Sequence, residues 1–183
     1  MKALFIKYKS VIKFMLTFLL VYIALTVCYK FYLQFSDGTL YYPDYFTNLV
    51  AKQCEAVLST FGYNTQMVPH PKEASMKLLI NGKYLARVIE GCNSISVIIL
   101  FLSFIIAFSG QLKTTVFYML AGSVLIYTIN LFRIVFLAMA LYHYSEYQDV
   151  LHTVVFPGII YGTVFLLWVF WVNRCSKLKQ KNV

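Results

Sequence analysis

The sequence predicts an all-α integral membrane protein with four transmembrane helices and an extracytoplasmic insert, containing a small β-hairpin, between helices 1 and 2. Three observations carry that prediction. The 183 residues are 60% hydrophobic with a mean hydropathy of +0.70, too apolar for an ordinary soluble domain. Four apolar runs, at about 11–29, 92–108, 115–141 and 154–172, approach or reach the roughly 17 to 25 residues of a spanning helix, the second being the shortest. The one stretch of soluble character, about 34–87, lies between the first two runs, so positions 1–183 read as a single membrane domain.

The first run follows Lys2, Lys7, Lys9 and Lys13 and has the basic leader of a signal peptide. Cys28-Tyr29-Lys30-Phe31-Tyr32 after it is no small-residue cleavage site, so an uncleaved first span is expected. The insert holds Asp37-Gly38, Pro43, Pro69 and Pro71. Its segment 45–61 can form a helix on or near the membrane with Phe46, Leu49, Val50, Gln53, Val57 and Leu58 near one face. At its end Asn81-Gly82 separates the runs 76–80 and 83–88. Both turn positions of such a hairpin need positive φ, which these two residues adopt most readily.

Lys and Arg in short flanks orient the spans. Lys2, Lys7, Lys9 and Lys13 precede the first run, Lys113 sits in the tight 109–113 turn, and Arg174, Lys177, Lys179 and Lys181 follow the last. The 142–151 connection has no Lys or Arg but carries Glu146 and Asp149. Both termini and the tight turn are therefore expected in the cytoplasm of a cell's inner membrane, with the insert and the acidic loop outside. The same placement makes the net charge of +9 topological, and nucleic acid is not an expected partner.

Arg133 lies inside the third run, where an ionisable residue is a functional-site hypothesis by default. It comes 18 positions after Thr115, roughly 27 Å along a helix and so near the outer edge of the hydrocarbon core. Cys92 opens the second run and His152 the fourth, both at the outer side. Three helices thus bring a nucleophile, a permanent cation and a proton acceptor to one layer. A helix N-terminus and a neighbouring guanidinium both favour thiolate chemistry at Cys92, and Arg133 suits an oxyanion clamp or a carboxylate anchor.

Glu90-Gly91-Cys92-Asn93-Ser94 opening a span, Asn130-Leu131-Phe132-Arg133 near the end of the next, and His152 opening the last resemble the Cys, Arg and His motifs of the exosortase/archaeosortase family. Size and amino-terminal arrangement are similar to its short, exosortase F-like branch. The resemblance covers about 88–172; where many members have Cys-Ser-Gly, this chain has Cys92-Asn93-Ser94. It implies a membrane-embedded cysteine transpeptidase or protease acting on exported proteins that end in a short motif, a transmembrane helix and a basic tail. Cys92 would attack, His152 would act as base and acid, and Arg133 would hold the oxyanion. Asn130, one turn before Arg133, would support the guanidinium or the substrate backbone; Asn93 belongs to the same motif, and Glu90 would orient His152, neutralise Arg133 or simply stabilise the helix start. No cofactor is expected, since metal-ligand spacing and a phosphate-binding glycine loop are both missing.

Each residue also has a plainer reading. Cys54, also outside, can pair with Cys92 in a disulfide. Arg133 can snorkel to the interface, His143 can replace His152 as base, and His70 between two prolines reads as loop. Cys28 reads as a membrane thiol and Cys175 as a juxtamembrane one. Gly158 and Gly162 suggest close packing of the last span against a neighbour in the same chain. Tyr41, Tyr42, Trp168 and Trp171 fit interfacial belts and lipid-facing surface. A non-enzymatic membrane protein that binds an anionic partner group through Arg133 is the competing class, and the oligomeric state stays open.

Overall fold

The computed structural model describes residues 8–36, 40–108, 110–144, 146 and 150–174. Helix α1 (Lys9–Phe35) leads to the insert, which consists of α2 (Tyr45–Thr60), β1 (Thr65–Pro69), β2 (Ser75–Ile80) and β3 (Lys83–Ile89). A 3-10 turn (Glu90–Cys92) joins β3 to α3 (Ile95–Ala107). Then follow α4 (Leu112–His143), a π-helical turn (Leu151–Val155) and α5 (Phe156–Arg174). Several residues of the expected insert, basic flanks and acidic loop, namely Lys2, Lys7, Asp37, Gly38, Ser109, Asp149, Cys175, Lys177, Lys179 and Lys181, lie outside the described residues.

Three helical stretches, Lys9–Phe35, Leu112–His143 and Leu151–Arg174, are long and apolar enough to cross a membrane. The expected second span is shorter than its hydropathy suggested. Helix α3 has 13 residues, roughly 20 Å against a core of about 30 Å. The chain before it is spent on the 3-10 turn and on Ser94, whose φ of 64° lies outside the helical region, so that the helix proper begins only at Ile95. Packing compensates, because α3 contacts α1, α4 and α5 and sends Phe101 and Ile105, both fully buried, into a cluster with Ile126, Val164 and Trp171.

Gly122 of α4 faces Phe101 so closely that a methyl group there would overlap the ring. Gly158 and Gly162, by contrast, have open space where a side chain would be, so the expected close packing at the glycines of the last span is not found; the last helix instead meets Gly110 closely, through Trp171.

The insert is not purely helical plus a hairpin. The Asn81-Gly82 hairpin is present, with φ of 52° and 77° and Ile80 opposite Lys83, but β1 adds a third antiparallel strand in the order β1-β2-β3. A sheet of one face needs a cover, and α2 supplies it. Asp44 caps the helix by accepting from the Thr47 amide at 3.1 Å, and Gly62 at φ 87° follows its end.

The buried face of α2 runs through Thr47, Val50, Ala51, Cys54 and Leu58, about a quarter of a turn from the face expected, because the sheet and α4 cover it instead of lipid. It packs with Met76, Leu78, Ile80 and Val88 of the sheet and with Ile134, Val135 and Ala138 of α4. Three side-chain hydrogen bonds hold the insert to α4: Tyr127 Oη to Gln53 at 2.6 Å, Tyr63 Oη with His143 Nε2 at 2.9 Å, and Asn81 Nδ2 to Tyr142 at 2.9 Å. Helix α4 therefore belongs to two cores, the helical bundle around Ile126 and the insert around Ile134, and Arg133 stands where they meet.

Candidate active site

At that junction lies a cavity of about 370 Å³. Its wall includes Cys92 from the 3-10 turn, Arg133 from α4 and His152 from the π-helical turn, the three residues the sequence brings to one layer. Apolar residues of α4 (Ile134, Leu137, Ala138 and Leu141) form one side, and Tyr84 to Val88 of β3 form the other. The size is at the lower end of ligand pockets, roughly 300 to 1,000 Å³.

Cys92 is held by its own backbone and its neighbours. The Asn130 amide, 1% exposed, donates to the Cys92 carbonyl at 2.7 Å, and the Asn130 oxygen accepts from an Arg133 terminal nitrogen at 3.3 Å. One buried amide therefore fixes both the turn that carries the thiol and the guanidinium. Asn93, equally buried, donates to Tyr29 Oη of α1 at 2.7 Å and to Thr47 Oγ1 of α2 at 3.2 Å, while its oxygen accepts from the Ile95 amide at 3.0 Å. It ties the first helix, the insert and the start of α3 to the position next to Cys92. Ser94 takes the left-handed conformation that suits glycine, and its hydroxyl donates to the Asn93 carbonyl at 2.6 Å. The glycine of the Cys-Ser-Gly pattern would occupy this position without strain.

The electrostatics favour negative charge. Arg133 Nε is buried with no hydrogen-bond partner, an arrangement that leaves a donor desolvated until something accepts from it. Among the described residues no carboxylate lines the cavity. The other lining cation, Arg87, is already paired with Glu73. His152 is exposed on the cavity wall and its ring makes no hydrogen bond among the described residues. A thiol, an imidazole and a guanidinium with no carboxylate partner among the described residues surround one space, and these are the components of acyl transfer: nucleophile, proton carrier and oxyanion donor.

Other expectations fare differently. Glu90 is exposed, stands outside the cavity lining and bonds neither His152 nor Arg133; its carbonyl accepts from the Asn93 amide at 3.3 Å. His143 is engaged by Tyr63 and does not line the cavity. Cys54 and Cys92 are both free thiols. Cys54 is fully buried in the insert core, and burial, with Cys92 nearby, pushes its thiol up to about 12. The contribution of β3 escaped the sequence reading. The Asn-Gly turn located the strand just before Cys92, but the side of it that faces the site depends on how the sheet docks on α4.

A family model described as transmembrane exosortase matches residues 4–172 of the chain. No curated protein and no solved structure matches it significantly.

Proposed function

The chain belongs to the transmembrane exosortase family, and from that premise we propose that it is a membrane-embedded cysteine transpeptidase or protease that cleaves the carboxy-terminal sorting signals of exported proteins. The observation that carries the proposal is the single cavity lined by Cys92, Arg133 and His152. His152 takes the Cys92 proton as the sulfur attacks the scissile carbonyl, and Arg133 receives the developing oxyanion on its unsatisfied donor. Collapse of the tetrahedral adduct breaks the C–N bond, His152 returns the proton to the leaving amine, and a thioester remains on Cys92. Water or an amine then attacks the thioester with His152 again as base.

The proposal includes four crossings in an inner membrane, with both termini in the cytoplasm and the cavity at the outer face. The short α3, packed by the three longer helices, is the fourth crossing, and the bilayer next to it accommodates the hydrophobic helix of the substrate. Short length and the arrangement before the motifs support the exosortase F-like branch.

Intact mass measurement of the purified protein incubated with a polypeptide carrying a motif, a hydrophobic helix and a basic tail tests the reading. The expected result is an acyl adduct on Cys92 whose mass locates the cleavage point, absent in Cys92→Ser although that variant still holds the polypeptide. Tight binding without adduct or cleavage, lost in Arg133→Ala, would instead identify a non-enzymatic binding protein.

A further inference from the structure

The cavity wall contains five consecutive residues of β3, Tyr84, Leu85, Ala86, Arg87 and Val88. Side chains of a strand alternate between its two faces, so a cavity over one face would be lined by every second residue. Leu78 of β2 lines the cavity too, so it touches one face of the sheet near the bulge, and the presence of both faces of β3 in the lining points to a cavity that also reaches the outer edge of the strand, where the backbone is presented. A bulge contributes: Leu78 opposes Ala86 while Leu79 opposes Tyr84, so Leu85 is extra and packs, like Ala86, against the insert core.

This edge is free. β3 is the terminal strand in the order β1-β2-β3, and among the described residues its backbone bonds only to β2. A free edge offers a row of unpaired N–H and C=O groups to another extended chain. Here the edge is enclosed between the strand and α4, and it leads directly to Cys92, three positions beyond Ile89. Few occupants fit a slot that ends on a nucleophile.

We propose that the free edge of β3 binds the substrate polypeptide as a fourth strand, through the residues immediately upstream of the scissile bond, and so delivers the carbonyl to Cys92. The proposal rests on the exosortase reading for the identity of the occupant. Direction follows from connectivity. β3 runs towards Cys92 and on into α3, and a sorting signal runs from its exported part through the motif into its own hydrophobic helix, so the added strand lies parallel to β3. Main-chain hydrogen bonds then supply affinity. The apolar wall of α4 receives alternate side chains, which makes it the source of sequence preference.

The test uses synthetic peptides comprising a short polar motif, a hydrophobic helix and a basic tail, each carrying one backbone N-methyl group at successive positions upstream of the cleavage point. Binding is measured to the full chain as Cys92→Ser in lipid nanodiscs, so that no chemistry is required. Strand addition predicts a period of two: N-methylation of amides facing β3 weakens binding at least roughly threefold to tenfold, the loss of one hydrogen bond, and N-methylation of the intervening amides leaves it unchanged. Failure of the unmethylated peptide to bind, or a response without alternation, overturns the proposal. An acyl adduct on wild-type Cys92 together with such a flat response would overturn strand addition alone and leave cysteine catalysis standing. Alternation without any adduct would keep the strand and remove the catalysis. Association of two copies through the same edge, undisturbed by the peptide, would assign the edge to self-pairing and overturn the proposal.

Discussion

Asn130 and Cys92, 38 positions apart, are joined by a hydrogen bond of 2.7 Å from the buried side-chain amide to the backbone carbonyl. The same amide, through its oxygen, receives Arg133 at 3.3 Å. Asn130 is thus a positioning residue, since it acts on the thiol and the guanidinium through other groups and does not itself line the cavity. Replacing it by alanine leaves a buried carbonyl unsatisfied, at a cost of about 1 to 3 kcal/mol. In Asn130→Ala the rate of Cys92 acylation is expected to fall roughly 5- to 150-fold while substrate affinity changes little. Single-turnover mass measurement separates the two, and an equal loss of affinity and rate would indicate that Asn130 merely holds the fold.

Ser94 carries a left-handed backbone beside the nucleophile, with φ 64°. A non-glycine residue there is strained by roughly 1 to 2 kcal/mol. Ser94→Gly is therefore expected to keep acylation and to leave thermal stability unchanged or slightly higher, whereas the β-branched Ser94→Val lowers stability by at least about 1 kcal/mol. Equal melting temperatures for the two variants would contradict the conformation at this position.

Gly122 permits α4 to lie against Phe101 of α3. Overpacking of a close contact costs about 1 to 3 kcal/mol, so Gly122→Val should lower the melting temperature in detergent, and the double variant with Phe101→Ala should regain part of the loss. Strict additivity of the two changes would mean that they do not meet.

Cys54 introduces a dependence on alkaline pH. Its thiol is held protonated to about 12 against an ordinary 9.0, first by burial. A group raised in the folded state contributes its stability in full below its unfolded value and loses it as pH rises through the folded one. Stability should accordingly fall between pH 9 and pH 12, by at most about 4 kcal/mol from this group. Cys54→Ala should have a flatter profile than the wild type over that interval, although its stability near neutrality is lower because a buried sulfur is lost. Parallel profiles would show that Cys54 is not the group responsible.

The sequence by itself determined the membrane character, the positions of the long helices and the Asn81-Gly82 turn, and it singled out Cys92, Arg133 and His152, which line one cavity. These are one-dimensional properties. Hydropathy over about twenty residues and a rise of 1.5 Å per residue set depth without reference to any contact. Tertiary structure decided what depends on rotation and docking. It ended the second apolar run as the short α3, turned the buried face of α2 towards Cys54, joined β1 to the hairpin, left Glu90 and His143 out of the cavity lining, and put the close approaches at Gly110 and Gly122 and not at the glycines of the last helix. It also placed the edge of β3 along the cavity and Asn130 between Cys92 and Arg133. Depth along a membrane is written residue by residue, but which face of a helix or edge of a strand meets a site is set only when every neighbouring element has packed.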